Sequence, residues 1–135
     1  MSGILVVSSD GIGLALTLRA LHDAGYQATG ASSFEEAKRF LANASPDLVI
    51  ADECLGPFNG LHIIMRARAV DPEVSAIVTT RVKSRGLEAD ARSLNVEWML
   101  KPETPQEWLA PISRTLRAEA ISLSGAGCAA APLVH

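Results

Sequence analysis

Polar side chains follow four apolar segments of this 135-residue chain, at the points where we expect strands to end. The apolar segments span residues 4–7, 48–51, 76–78 and 98–100, and the polar residues that follow them include Ser8, Ser9, Asp52, Thr80 and Lys101. Because the carboxyl ends of parallel strands open into one crevice, we expect a carboxylate, a hydroxyl and an ammonium to meet there. An aspartate can act as a nucleophile and carry an acyl phosphate, so this grouping favours acceptance of a phosphoryl group on Asp52.

The composition predicts a globular protein without a surface for nucleic acid or anionic lipid. The net charge is -3, 48% of the residues are hydrophobic and 20% are charged, and such a balance carries no strong basic patch. The apolar runs are strand-sized and too short for a transmembrane helix, and residues 1–3 show no signal-peptide pattern. Cys54 and Cys128 form neither a disulfide framework nor a metal-binding spacing. We therefore expect a reduced, cytoplasmic protein that binds no membrane.

The hydrophobic pattern alternates between strands and helices along most of the chain. It predicts strands at 4–7, 27–30, 48–51, 74–79 and 96–100, with helices at 11–24 and 82–94, after Ser33, after Gly60 and after Thr104. Ser33 with Glu36, and Thr104 with Glu107, have the spacing of capping boxes, and Leu61, Ile64 and Met65 mark the third helix. Pro111 is expected to bend the last helix. Alternating elements of this kind predict an α/β protein with a parallel sheet covered on both faces.

The natural arrangement of such a sheet is the flavodoxin-like strand order 2-1-3-4-5, which is one of the few that right-handed crossovers allow. Residues 1–119 are predicted to form this one domain. Residues 120–135 are poor in charge and rich in small side chains, which favours a low-complexity tail or a truncated linker. A tail that docks on its own domain or on a neighbour is the alternative.

Two segments resemble the receiver domain of bacterial response regulators, the CheY-like family. The first is Pro-Asp-Leu-Val-Ile-Ala-Asp at residues 46–52, followed by Gly60 and a helix, and the second is Trp-Met-Leu-Lys-Pro at residues 98–102. The resemblance extends from about residue 3 to residue 116. It implies the flavodoxin-like fold and a role in two-component phosphorelay signalling, as a signalling module rather than an enzyme.

The resemblance also implies a role for individual residues. Asp52 matches the phosphoacceptor, and Thr80 matches the hydroxyl that binds the phosphoryl group. Lys101 matches the lysine that contacts carboxylate and phosphate. Trp98 matches the aromatic switch residue, and Cys54 matches the position whose backbone carbonyl helps to hold Mg²⁺. The Lys101–Pro102 bond matches the cis-proline junction of the family. Trp98 could alternatively serve only in packing, since tryptophan is bulkier than the usual switch residue.

The metal site departs from the family pattern, because Ser8 and Ser9 occupy the positions of the acidic pair that binds Mg²⁺. Mg²⁺ commonly takes one or two carboxylates plus substrate phosphate, and here Asp52 is the only matched carboxylate. Glu53 is expected to point to the opposite face of its strand. Three outcomes stay open: weak Mg²⁺ binding with Asp10 reaching in by a loop shift, a kinase that supplies its own geometry, or an inactive site.

Arg81 and Cys54 lie close to the predicted crevice and have two interpretations each. Arg81 follows Thr80, where the family favours a small residue, and could cover the site or pair with Asp52 or a phosphate. It could equally belong to a solvated basic loop with Lys83 and Arg85. We expect Cys54 to be a buried, inert thiol, although a position near the crevice would also suit a redox-active one.

The expected partners are a histidine kinase or a phosphotransfer protein, and either a downstream protein or a second copy of the chain. The resemblance places the latter contact on the fourth helix, the fifth strand and the last helix, with Ala91, Val96 and Trp98. One alternative is a pseudo-receiver that binds proteins without phosphorylation. Another is a small nucleotide- or flavin-binding protein, suggested by Gly-Ile-Gly at residues 11–13, although Leu16 stands where a third glycine is needed.

Overall fold

The computed structural model describes residues 3–116. The predictions for the tail, for the domain boundary at residue 119 and for Cys128 lie outside the described residues. None of the helices within residues 3–116 is long and apolar enough to cross a bilayer.

The described chain alternates strands and helices as the sequence predicts. The strands are β1 (Gly3–Val7), β2 (Gln27–Ala31), β3 (Leu48–Asp52), β4 (Cys54–Leu55), β5 (Phe58–Asn59), β6 (Ser75–Thr80) and β7 (Glu97–Leu100). The helices are α1 (Gly11–Asp23), α2 (Phe34–Asn43), α3 (Gly60–Val70), α4 (Arg85–Ser93), a 3-10 helix (Pro105–Trp108), and α5, residues 109–116, which continues it. The bounds differ from the predicted ones by at most three residues, except that the hairpin of β4 and β5 was not anticipated.

Five strands form one parallel sheet in the order β2-β1-β3-β6-β7. This confirms the predicted 2-1-3-4-5 order, because β4 and β5 pair only with each other and β6 and β7 are the fourth and fifth strands of the sheet. In the register of the central strands, Val7 lies opposite Ala51 and Asp52 lies opposite Thr79. The ends of β1, β3 and β6 therefore meet at one edge of the sheet.

Side chains alternate between two apolar layers, one on each face of the sheet. One layer joins β1, β3 and β6 to α2, α3 and α4, and its buried members include Val7, Ala51, Val78, Leu61, Leu87 and Ala91. The other joins the same strands to α1 and the C-terminal helix, and its members include Ile4, Ile50, Ile77, Leu21, Trp108 and Ile112. Helices thus shield both faces of the central strands, which leaves the strand ends as the accessible polar edge.

One predicted assignment to a partner-binding surface is wrong. Ala91 and Val96 belong to the core rather than to a partner-binding surface, with exposures of 0% and 6%. The residue on this side that presents apolar area is Leu100, on the edge strand β7.

The helix caps were predicted with mixed success. The Ser33 hydroxyl accepts a hydrogen bond from the Glu36 amide at 3.1 Å, as predicted. Backbone and hydroxyl hydrogen bonds from Ser32 hold the pKa of Glu36 below its usual value. Thr104 makes no side-chain cap, because the chain enters the last helix through a 3-10 turn. Pro111 is the third residue of α5. The first four amides of an α-helix have no carbonyl partner inside the helix, so the missing amide hydrogen of Pro111 breaks no hydrogen bond within α5.

Gly60 allows α3 to start directly against the end of β3. Its amide donates to the Glu53 carbonyl at 2.9 Å, and a Cβ at this position would lie 2.0 Å from the carbonyl oxygen of Asp52. Only glycine therefore fits between the start of α3 and the strand that carries Asp52. The preceding hairpin turns at Gly56, whose φ of 63° favours glycine.

We predict that Gly60→Ala lowers the free energy of unfolding by at least about 2 kcal/mol, because the methyl group meets rigid backbone. Gly86→Ala in α4 is the matched control, since the nearest atom to its added Cβ is Ser84 Oγ at 3.8 Å. This control should leave the stability unchanged or raise it by up to about 1 kcal/mol. Urea denaturation of both variants tests the prediction, and equal stabilities would contradict it.

Candidate functional site

Asp52 lies at the end of β3 with its carboxylate fixed by three side chains. Thr79 donates its hydroxyl to Oδ1 at 2.8 Å. The Ser8 hydroxyl donates to Oδ2 at 2.6 Å, and the Lys101 ammonium donates to the same oxygen at 3.0 Å. The Asp52 side chain is 17% exposed. The carboxylate is thus held in position while one part of it stays open to solvent.

Lys101 reaches this carboxylate from β7, on the far side of β6. Its amide donates to the carbonyl of Thr80 at 2.9 Å and so continues the pairing of β6 with β7 beyond the end of the strand. This fixes the start of a side chain that is only 20% exposed. The predicted pairing of Lys101 with Asp52 is present, and both side chains of this ion pair are largely buried.

Ser8 is 4% exposed and lies between the two charged groups. Its hydroxyl oxygen accepts from Lys101 Nζ at 3.0 Å and from the Asp10 amide at 3.2 Å, while its proton goes to Asp52. A serine hydroxyl has one donor and two acceptor sites. All three are engaged here, so Ser8 joins the carboxylate and the ammonium into one hydrogen-bonded cluster.

The two threonines at the end of β6 have different partners. Asp52 lies opposite Thr79 in the parallel register, so these two side chains share a face of the sheet and bond directly. Thr80 points to the other face, where its hydroxyl oxygen lies 2.9 Å from both Glu53 Oε1 and the Val82 carbonyl. Sequence reasoning overlooked Thr79, although the strand register would have indicated it. The predicted contact of Thr80 with a phosphoryl group stays a prediction.

The acidic residues near the site are held by other contacts. Asp10 caps α1, since its Oδ1 accepts from the Gly13 amide at 3.2 Å, and a Cβ at Gly13 would lie 2.5 Å from Asp10 Oδ2. This contact explains Gly13 without a bound dinucleotide. Glu53 is engaged by Thr80 on the face opposite Asp52, as the alternation predicts. Ser9 is exposed at the edge of the site.

The donors around Asp52 include few of the oxygen ligands that Mg²⁺ prefers. Within the described range, no group of three or more His, Cys, Asp or Glu side chains is placed to hold a metal ion. Mg²⁺ needs oxygen ligands in near-octahedral geometry, and Asp52 is the only carboxylate at the cluster. Weak binding of Mg²⁺ stays a prediction.

A cavity of about 460 Å³ opens beside Asp52. Its walls are formed by Ser9, Asp52, Glu53, Cys54, Thr79, Thr80, Arg81, Val82, Lys83, Ser84 and Lys101. Three cations thus face two carboxylates, which makes the cavity suitable for an anion. A larger cavity of about 680 Å³ lies at the amino ends of β6 and β7, away from these groups.

Two further expectations differ from the structure. Cys54 is exposed at the cavity rather than buried, because it begins the short hairpin that projects beyond the sheet. No peptide bond among residues 3–116 is cis, so the Lys101–Pro102 junction is trans. Trp98 is half-buried on β7 and packs against the apolar layer on the α2–α4 face, which agrees with a packing role.

A family model described as the response regulator receiver domain matches residues 4–113. The chain belongs to this family. It is 29% identical over 119 residues to the transcriptional regulatory protein PrrA of Mycobacterium leprae, which covers 84% of this chain and 49% of PrrA. This chain thus spans about half the length of that relative. As a response regulator receiver domain, the chain belongs to the proteins of two-component signalling.

Solved receiver structures have the same fold. A CheY-like receiver domain protein from Methanospirillum hungatei superposes with a TM-score of 0.83 at 22% identity, covering 90% of this chain and 98% of the other. The response regulator TrrA from Thermotoga maritima, solved in complex with Mg²⁺ and BeF, gives a TM-score of 0.73 at 24% identity and covers 85% and 99%. These similarities agree with the observed strand order.

We predict that Ser8→Ala lowers the free energy of unfolding by about 1–2 kcal/mol, because the carboxylate and ammonium lose a buried hydrogen-bond partner. The neighbouring Ser9→Ala is the control, since Ser9 is exposed and should change stability by less than about 0.5 kcal/mol. Chemical denaturation measures both. A Ser8→Ala variant as stable as Ser9→Ala would show that the cluster contributes little to folding.

Proposed function

We propose that this receiver domain accepts a phosphoryl group on Asp52 from a histidine kinase or a phosphotransfer protein, and that it signals through protein contacts. The observation that carries the proposal is the Asp52 carboxylate, fixed by Lys101 and Thr79 at the mouth of an anion-compatible cavity. A nucleophile must be held in position and remain accessible, and the partial exposure of Asp52 satisfies both conditions.

The transfer forms a bond between an Asp52 carboxylate oxygen and phosphorus. The bond from phosphorus to the donor breaks, and its electron pair stays on the histidine nitrogen of the donor. Negative charge spreads over the phosphoryl oxygens as this occurs, so catalysis depends mainly on positioning and electrostatic stabilisation. The Lys101 ammonium can follow the charge from carboxylate to phosphoryl oxygen, and the Thr79 hydroxyl can supply a hydrogen bond on the same face of the sheet.

Mg²⁺ binding is proposed to be weak in this domain. When bound, the ion neutralises charge on the phosphoryl oxygens. The residues that would hold it are Asp52, the backbone carbonyl of Cys54 and, after a change in the loop, Asp10. The loop change has a cost, because Asp10 would give up its cap on α1.

The proposed output surface lies along the edge strand β7 and the adjoining helices. Trp98 is half-buried there and Leu100 is 50% exposed. We propose Trp98 and Thr80 as the residues that respond to the phosphoryl group, since both lie on neighbouring strands that end at the site. The partner is a downstream protein or a second copy of the domain.

A second candidate function is phosphorylation-independent protein binding, as in a pseudo-receiver. One observation favours it: Ser8 already satisfies both Asp52 and Lys101, so the resting cluster is complete without a ligand. In that case Asp52 would serve only to hold the strand ends together.

Incubation with acetyl phosphate tests the first candidate against the second. We predict that the intact mass increases by one phosphoryl group and that the increase is absent in Asp52→Asn, which keeps the size of the side chain but removes the nucleophile. Trials with histidine kinases follow if acetyl phosphate gives no product. Failure with every donor would favour the pseudo-receiver.

The role of the two serines can be tested by restoring the acids. We predict that the double variant Ser8→Asp, Ser9→Asp binds Mg²⁺ at least about tenfold more tightly, because two carboxylates join Asp52. Titration followed by tryptophan fluorescence, with the Ser9→Asp single variant alongside, measures the gain. Equal affinities would contradict the assignment of Ser8 and Ser9 to the acidic-pair positions.

A further inference from the structure

The phosphoryl site has fewer positive charges in direct contact with Asp52 than the reaction requires. Lys101 alone contacts the carboxylate, and its charge is already matched by that of Asp52. A transferring phosphoryl group adds negative charge at the same place, which must be stabilised by a further cation. Because the donor set does not favour Mg²⁺, a cation of the chain itself is the alternative source of this charge.

Arg81 occupies the position that such a cation needs. It is the first residue after β6 and follows directly on the two threonines of the site. Arg81 lines the cavity beside Asp52, and it also lines a second cavity of about 250 Å³ that Asp10 and Lys101 share. Arg81 therefore lies at both cavities that border the Asp52–Lys101 cluster.

The guanidinium of Arg81 is also uncommitted. Within residues 3–116 it has neither a hydrogen bond nor a salt bridge, and the residue is exposed. Lys83 is equally free but lies two residues further along the loop and lines only the first of the two cavities. A free guanidinium offers paired N–H donors that match phosphoryl oxygens, which a single ammonium cannot do.

We propose that Arg81 supplies, in this domain, positive charge that Mg²⁺ supplies poorly, by binding the phosphoryl oxygens during transfer and in the product. This inference rests on the proposed function of Asp52. Ser8 bonds to both Asp52 and Lys101, and Arg81 lines the cavity beside them. The site is therefore less dependent on a divalent ion.

The test compares the wild type with Arg81→Ala, Arg81→Lys and the control Arg85→Ala, each with acetyl phosphate in Mg²⁺ or in EDTA. Arg85 is an exposed arginine that lines neither of the two cavities. Intact mass gives the initial rate of modification. We expect EDTA to slow the modification of the wild type by less than about threefold. A threefold change in rate corresponds to less than half of the roughly 1.4 kcal/mol in activation free energy that a tenfold change requires. Arg81→Ala should react about tenfold or more slowly than the wild type in EDTA. Arg81→Lys should retain part of the rate, and Arg85→Ala should match the wild type.

Binding of beryllofluoride, measured by fluorine NMR without added Mg²⁺, provides a readout that needs no reaction. The wild type and Arg85→Ala should bind it equally well, and Arg81→Ala should bind it at least about tenfold more weakly. Thermal unfolding checks that all variants are folded, as expected for changes at exposed positions.

The results separate failure of this inference from failure of the proposed function. Modification that requires Mg²⁺ and is equally fast in Arg81→Ala would overturn the role of Arg81 and leave Asp52 as the acceptor. If no donor modifies any variant, the proposed function fails. The beryllofluoride measurement then decides the role of Arg81, since equal binding by wild type and Arg81→Ala, or no binding by either, would refute it.

Discussion

The contact between the Lys101 ammonium and the Asp52 carboxylate is the interaction on which the polar edge of this fold depends. It joins β7 to β3 across the intervening strand β6, between residues 49 positions apart in the chain. Ser8 extends the contact to β1, which is 93 positions from Lys101. An unpaired charge at this depth would lower the free energy of unfolding. The hydrogen bonds among Ser8, Asp52 and Lys101 pair both charges and so hold the three strand ends together.

The serine at the centre of this cluster changes the balance between stability and metal binding. An acid in the position of Ser8 would place a second negative charge beside Asp52 and raise the energy of the resting state unless a cation were bound. The hydroxyl instead satisfies both charged groups without adding charge. The serine therefore favours a stable resting site but offers no carboxylate to a metal ion, which is the reason for the proposed role of a cation of the chain.

Much of the fold follows from local patterns in the sequence. Continuous apolar runs predict buried parallel strands, and the cap at Ser33 is fixed by residues three positions apart, so both were recognised. The pairing of Asp52 with Lys101 followed from strand ends meeting in a crevice. Thr79 was overlooked because its contact depends on the register of β3 against β6, which is a tertiary property. The exposure of Cys54 depends on a two-residue turn at Gly56 and could not be read from its neighbours.

The central claim is that Asp52, and no other carboxylate of the crevice, forms the acyl phosphate. Reduction of the modified protein with borohydride converts an aspartyl phosphate into homoserine, and peptide sequencing by mass spectrometry then locates it. The account predicts homoserine at position 52, where Thr79 and Lys101 orient the carboxylate. A reduced side chain at Glu53 or Asp10 with Asp52 intact would contradict it.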